Sequence, residues 1–273
     1  KKYTMKIKNL FQIVLISFFI VSCSSDDNRY TSSENDVEES TNDSEESNLL
    51  YKKSEKYTDN HITFERLVNY NDSNNDIHSI VMKRYHTSTK TITPTYSDNN
   101  ITSINVIVDY ESDYNSDSNV TYNVTEENDK IFLESADFII EIYHSNGYVN
   151  STRRFNLSNP NEFTEQVFTR DENLNLIGNN DNNGNSYEYS NFDSNKKIAP
   201  LGSVIRCAYF DFFRLFDLKL SNNNPLNGTI LTFQGLIYDF VNYLEYDEQG
   251  YVIRTTKEPE STTNYISHQY IEE

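Results

Sequence analysis

The stretch Asn179-Asn180-Asp181-Asn182-Asn183-Gly184 sets oxygen-bearing side chains at Asn179, Asp181 and Asn183, alternate positions ahead of a glycine. That is how a calcium loop opens, with hard oxygen ligands in sequence and a glycine at the sharp turn. The bidentate acid that would complete such a loop falls instead at Ser190, and the segment lies between strand-like rather than helical patterns. A polar hairpin turn is therefore expected, Asn179, Asp181 and Asn183 being weak ligand candidates only if several such turns converge; no metal is assigned. Asp72-x-Asn74-x-Asp76 and the trio Asp109, Asp113 and Asp117 read in the same way, as solvated turns. The histidines His61, His78, His86, His144 and His268 have neither metal-ligand spacing nor an acid in a catalytic order, and Ser203 sits in LGSVI rather than in a nucleophile elbow. No catalytic residue is assigned and no cofactor is expected. Twenty-one Tyr and 16 Phe would suit a ring-stacking face, but Tyr equally forms ordinary cross-strand pairs, and the chain has no Trp to strengthen the sugar-binding reading.

The remaining reactive residue types are two cysteines. Cys23 closes a leader in which basic residues precede an apolar run over residues 10–21 and then Ser22. That order is a secretory signal, and about a dozen apolar residues are too few for a helix that must cover roughly 30 Å of hydrocarbon. Ile20-Val21-Ser22-Cys23 resembles the bacterial lipobox, which implies acylation of Cys23 after cleavage. Cys207, among apolar neighbours in VIRCAYFDFF, reads as a small buried hydrophobe, and no intramolecular disulfide is expected. Residues 24–48 hold nine acidic residues, one Arg and almost nothing to bury, so a disordered tether is expected there. The whole chain of 273 residues carries a formal charge of −19, which excludes a generic nucleic-acid binder because phosphate backbones need a basic surface. The organisation expected is a signal peptide over residues 1–23, a tether over 24–48 and a folded body over 49–273.

Within the body, residues 61–68, 101–110, 138–143, 164–169 and 243–246 alternate Tyr, Val, Ile, Thr and Phe with polar residues at period two. Such alternation is the signal of half-buried antiparallel strands, and the Asn, Asp, Ser and Gly clusters between them supply turns. The phrases YHSNGYV (143–149) and YDEQGYV (246–252) share Tyr, Gly, Tyr and Val at the same offsets, with looser copies in YNSDSNV and TRDENLN, where Ser118 and Asn173 align with the glycine. Each reads as a strand end, a turn and a strand start, at spacings too irregular for a solenoid or propeller. Residues 203–220 break the pattern: Arg206, Asp211, Arg214 and Asp217 fall on one arc of a helix and apolar residues on the rest. One buried helix is expected there, with Phe213 and Phe216 turned inward and Arg214 toward solvent or a neighbouring acid. The fold class is mainly β: a curved antiparallel β-meander sheet with one buried helix, preceded by a signal peptide and disordered tether.

NFDSNKKIAP (191–200), an apolar segment, SNNNP (221–225) and a closing Tyr-rich hairpin, together with the lipobox and its Ser/Asp-rich tether, resemble uncharacterised envelope lipoproteins of flavobacteria and other Bacteroidetes. YLEYDEQGYV also resembles the YD repeat of large bacterial shell proteins, in too few copies to enclose a shell. The resemblance implies an outer-membrane lipid-anchored protein facing the periplasm or the cell surface, and it imports no activity and no site residue. The expected function is a non-enzymatic binding or interaction module, partnered with the membrane through Cys23. A hydrolase acting on envelope or extracellular glycans and a purely structural surface component are the alternatives.

Overall fold

Ile92, Pro94 and Tyr96 alternate with Thr91, Thr93 and Thr95, and the first set turns onto an apolar core while the second faces away. That two-residue period, repeated along the body, makes sheet of nearly everything the computed structural model describes, namely residues 49–71, 74–111, 115–193, 209–258 and 261–272. All of these belong to one compact unit, Glu46–Glu273. Cys23, Ser203 and Cys207 lie outside the described residues.

In chain order the strands are β1 (Leu49–Thr58), β2 (His61–Tyr70), β3 (Ile77–Arg84), β4 (Ser88–Ser97), β5 (Asn100–Tyr110), β6 (Ser118–Glu127), β7 (Lys130–Glu134), β8 (Phe138–Ser145) and β9 (Tyr148–Asn156). They continue as β10 (Asn159–Arg170), β11 (Leu176–Asp181), β12 (Ser186–Phe192), the helix α1 (Phe210–Leu215), β13 (Pro225–Leu231), β14 (Ile237–Val241), β15 (Tyr243–Tyr246), β16 (Val252–Thr256) and β17 (Tyr265–Glu272). The expected mainly β, antiparallel meander with one helix is what the chain forms. All five segments anticipated as strands lie within β2, β5, β8, β10 and β15.

Every strand pairs antiparallel with the next in sequence, save at one step, and β1 pairs antiparallel with β17, so the sheet is nearly closed. The one missing pairing is β14 with β15. An up-and-down sheet whose first and last strands meet antiparallel needs an even number of staves, so β14 and β15 run on in the same direction as one strand bent at Asn242. Asn242 fixes the bend: it is buried, its N–H donates to Leu226 O at 2.6 Å and its Nδ2 to Pro225 O at 2.8 Å. Pro94, which has no N–H to give, lies where β4 has no partner on its β3 side.

The tight turns use residues that tolerate a left-handed backbone. Asp59-Asn60, Asp98-Asn99 and Asn146-Gly147 all have positive φ at both positions, the geometry that matches the twist of a two-residue hairpin. A second turn recurs three times. Asp171, Asp181 and Asp247 each accept two backbone N–H groups, from Asn173 and Asn175, Asn183 and Asn185, and Gln249 and Tyr251 respectively, at 2.8 to 3.0 Å. In each, the positive φ falls three residues after the Asp, at Leu174, Gly184 and Gly250. The expected alignment of TRDENLN is thus one residue out: Leu174, not Asn173, stands where the glycine does, and Ser118 is a strand residue of β6 without positive φ.

The core is formed by Ile80, Ile92, Ile104, Ile131, Leu133, Ile140, Ile142 and Val149, joined by Phe212, Phe213, Leu215, Leu218 and Leu220 from α1 and the chain after it. Phe213 is fully buried, edge-on to Phe168, and Phe212 is edge-on to Tyr122. Helix therefore occupies six residues of the 18 expected, with residues 203–208 outside the described set. After Phe216 the chain turns, and Lys219 forms a parallel bridge with Tyr148. Arg214 is partly buried, and its guanidinium donates to Tyr51 O at 3.3 Å and Tyr70 Oη at 3.1 Å. The helix packs on the core side of the sheet, so Asp211 and part of Arg214 meet protein, while Asp217 beyond its end is exposed.

Candidate functional site

The sheet face turned away from the core is polar over most of its width. Asn119, Thr121, Asn123 and Thr125 are exposed on β6, and Asn105 Nδ2 on β5 reaches Asn119 Oδ1 at 2.7 Å and Thr121 Oγ1 at 3.0 Å. On β1 to β3, Lys53 bridges Glu55 at 2.9 Å and Glu65 at 3.4 Å, while Tyr57 and Tyr85 donate to the two carboxylates. On β7 and β8, Lys130 meets Glu141 at 2.7 Å between the rings of Phe132 and Tyr143. Such partly exposed pairs order the surface and contribute little to stability, on the order of 1 kcal/mol each or less.

One sector differs. Along β13, β14 and the bend into β15, Leu231, Phe233, Leu236, Ile237, Tyr238, Val241 and Tyr243 are exposed, Phe233 at 61% and Ile237 at 66%. β14 pairs with β13 only, so its other edge carries unpaired backbone N–H and C=O groups among the described residues. Beside it, on the outward face of β10 to β14, lies a groove of about 560 Å³. The registers lay out its floor. Thr169, Gly178, Glu188, Thr229 and Asp239 form one row across five strands; in the next row Asn180 and Ser186 line the groove, and Val167, Leu231 and Ile237 lie beyond it. Gly178 leaves the floor without a side chain between Thr169 and Glu188. Thr229 Oγ1 donates to Asp239 Oδ1 at 2.6 Å, fixing that carboxylate at the groove's β14 end. Behind it, Gly228 is required by close approach, since a Cβ there would stand 2.4 Å from Phe240 Cζ and 2.6 Å from Glu188 O. The floor thus offers two acids, several hydroxyls and an apolar border, which suits an extended partner carrying basic residues.

Of the residues singled out from the sequence, Asn179 and Asp181 lie in β11, and Asn183 in the turn that follows. Asn179 is fully buried and its Oδ1 accepts from Gln166 Nε2 at 2.7 Å. Asp181 spends Oδ1 on the two turn amides and Oδ2 on Asn185 Nδ2 at 2.8 Å. Asp181 thus builds a hairpin turn like those at Asp171 and Asp247, to which Asn183 gives its backbone N–H, while the Asn179 side chain ties β11 to Gln166 of β10. His61, His78 and His86 are exposed and His144 is partly buried, whereas His268 is buried on the core side, with Nε2 3.1 Å from Thr255 Oγ1. Among the described residues, no three His, Cys, Asp or Glu side chains gather where they could hold a metal ion. The groove residues Thr169, Glu188, Thr229 and Asp239 went unread in the sequence because each looks like an ordinary outward strand position. The apolar residues Leu231, Phe233, Leu236 and Ile237, across what should be a polar hairpin tip, were the available signal.

No protein-family model matches the chain, and no curated protein matches it. Among solved structures, it is similar to a porin-like protein from Bacteroides vulgatus, at 13% identity and a TM-score of 0.44 over 82% of this chain and 99% of that one. It is also similar to a porin-like protein from Bacteroides uniformis, at 10% identity and a TM-score of 0.39 over 81% and 96% of the two chains.

Proposed function

We propose that this chain is a non-enzymatic binding module of a bacterial envelope, held at the outer membrane by an acylated Cys23, and that it takes an extended basic segment of a partner protein along β14 and the groove beside it. The observation that carries the reading is the β14 edge. A five-residue strand with free backbone groups on alternate residues of its outer edge, and apolar side chains exposed beside two acids, is what β-strand addition uses: main-chain bonds for affinity, alternate side chains for specificity. Glu188 and Asp239 stand two strand spacings apart on an open face, roughly 10 Å between backbones. That separation suits a cationic strand better than a hydrolytic acid and base, which work in a site closed to water. A porin-like role would need an apolar band facing lipid; here the face turned from the core carries Asn119, Thr121, Asn123 and Thr125 on β6 and ion pairs on β1, β2, β7 and β8.

Two measurements test the reading. Calorimetric titration of the full chain with an alternating Lys-Ile octapeptide should show saturable binding that Asp239→Lys and Ile237→Asp each weaken at least about tenfold, or 1.4 kcal/mol. Binding indifferent to both substitutions would remove β14 from the interface. For the anchor, Cys23→Ala should move the chain from the detergent-rich to the aqueous phase in a temperature-induced phase separation, because firm attachment needs more than one acyl chain. A mutant that stays in the detergent phase would sink the lipid assignment.

A further inference from the structure

The hydrogen bonds at the two ends of the β13–β14 ladder fix which residues of β14 face the edge that has no partner among the described residues. Thr232 N–H donates to Leu236 O at 2.9 Å at the turn, and Asn242 N–H to Leu226 O at 2.6 Å at the bend. Both pairs continue the register that sets Leu231 beside Ile237 and Asn227 beside Val241. Bonded and non-bonded pairs alternate along an antiparallel ladder. Tyr238 and Phe240 therefore spend their backbone groups on β13, and Ile237, Asp239 and Val241 turn theirs to the open edge. Side chains alternate with the same period, which puts these three on the outward face as well. There Ile237, at 66% exposure, and Val241, at 39%, flank the exposed Asp239.

Backbone and side chains together make the edge read apolar, acid, apolar. A strand laid on it antiparallel exchanges main-chain bonds with each of the three, and the residue opposite each lies on the same face with its Cβ about 5 Å away. Opposite Ile237 and Val241 the favourable side chain is apolar. Opposite Asp239 it is cationic, since Thr229 donates one bond to Asp239 Oδ1 and a carboxylate accepts several more. The residues between fall on the other face, beside Tyr238 and Phe240. Lys257 Nζ already stands there, 4.5 Å from the centre of the Phe240 ring, so a further cation would meet a like charge. β16 sets the direction: it pairs antiparallel with β15 and ends at Thr256, opposite Tyr243. Because β14 runs on into β15, a strand antiparallel to β14 continues the line of β16. A second copy of the chain does not satisfy this edge. Pairing β14 with itself antiparallel sets Asp239 against the other copy's Asp239 or, in the neighbouring registers that keep the same faces, against Ile237 or Val241.

We infer that the partner of β14 is a strand of the form apolar-x-Lys/Arg-x-apolar, with x uncharged, added antiparallel with its cation against Asp239 and its apolar residues against Val241 and Ile237. The inference rests on the strand-addition reading given above and narrows it, from a basic segment to one spacing, one register and one direction.

Calorimetric titration of the full chain in mild detergent with the capped heptapeptide Thr-Ile-Thr-Lys-Thr-Ile-Thr tests it. This peptide should bind at least about tenfold more tightly than the alternating Lys-Ile octapeptide, which brings a lysine to Asp239 only by setting lysines against Ile237 and Val241 too. N-methylation at the peptide's Lys, whose N–H points to β14, should weaken binding at least about tenfold. N-methylation at the Thr before it, whose N–H points away, should leave binding unchanged. Asp239 is exposed, so Asp239→Lys keeps the fold and should reverse the preference, toward the heptapeptide with Glu in place of Lys. A photoreactive benzoylphenylalanine in place of the first Ile should label the chain at Val241 and its neighbours. Label at Ile237 instead, equal loss from the two N-methylations, or a heptapeptide no tighter than the octapeptide would each overturn this pairing while the strand-addition reading stands. No binding by either peptide would overturn both.

Discussion

His268 shows what a single side chain loses and gains by turning inward. Desolvation, with the Arg66 charge nearby, holds its imidazolium down to about 3, against an ordinary value of 6.5. Its Thr255 contact at 3.1 Å is made by a neutral ring. The unfolded chain therefore binds a proton at a pH where the folded chain does not, and stability falls as the pH drops from about 6.5 toward 3, by up to about 1.4 kcal/mol for each unit. Above 6.5 the group contributes no slope. Urea midpoints at pH 7 and pH 4.5 should converge more closely for His268→Gln than for the wild type. An identical acid slope in both would mean that His268 protonates freely in the fold. Nothing in the local sequence, YISHQY, distinguishes this histidine from one on the exposed face, because its neighbour Ser267 stands equally well in either register.

At the scale of elements, alternation was legible and direction was less so. The segments 61–68 and 243–246 reveal strands by composition, and Phe64, Arg66 and Val68 share one parity, so an inward-facing Arg66 was visible in principle. The helix was read too long because Phe and Leu continue past its end. Amphipathic spacing also says which residues share an arc without saying what that arc meets, and here the arc of Asp211 and Arg214 meets Arg66, Tyr51 and Tyr70. The turns show the same limit: an Asp that accepts two backbone amides defines the loop more strongly than the glycine does, so Leu174 takes the left-handed position at Asp171 although Gly would be easier there. For α1 the consequence is measurable. Phe213 is fully buried and Phe216 only partly, so Phe213→Ala should cost about 3 to 5 kcal/mol and Phe216→Ala about 1 to 2. Denaturant melts giving the reverse order would mean that the helix is rotated relative to the core.

The property of the whole molecule hardest to read from sequence is the pairing of β1 with β17, which joins residues more than 200 positions apart and so leaves no local trace. Its energetic role follows from edges. A meander of this width left open would present two bare strands to solvent, templates for pairing with other chains. Joining its ends removes both. The seam also closes over Tyr51 and Tyr270, whose rings meet edge-on at 5.9 Å, and the Tyr270 hydroxyl donates to Val252 O at 2.9 Å, tying β17 to both of its neighbours. Ending the chain after Lys257 would delete β17 and uncover β1 and β16 together. The expected outcome is loss of the cooperative thermal transition and self-association on gel filtration. Replacing residues 232–236 with Asn-Gly removes the exposed tip of the β13–β14 hairpin and almost no core, so it should shift the melting temperature by less than about 4 °C. If the chain lacking β17 instead melted cooperatively at the wild-type temperature as a monomer, the seam would contribute nothing and the sheet would behave as an open meander whose stability is stored strand by strand.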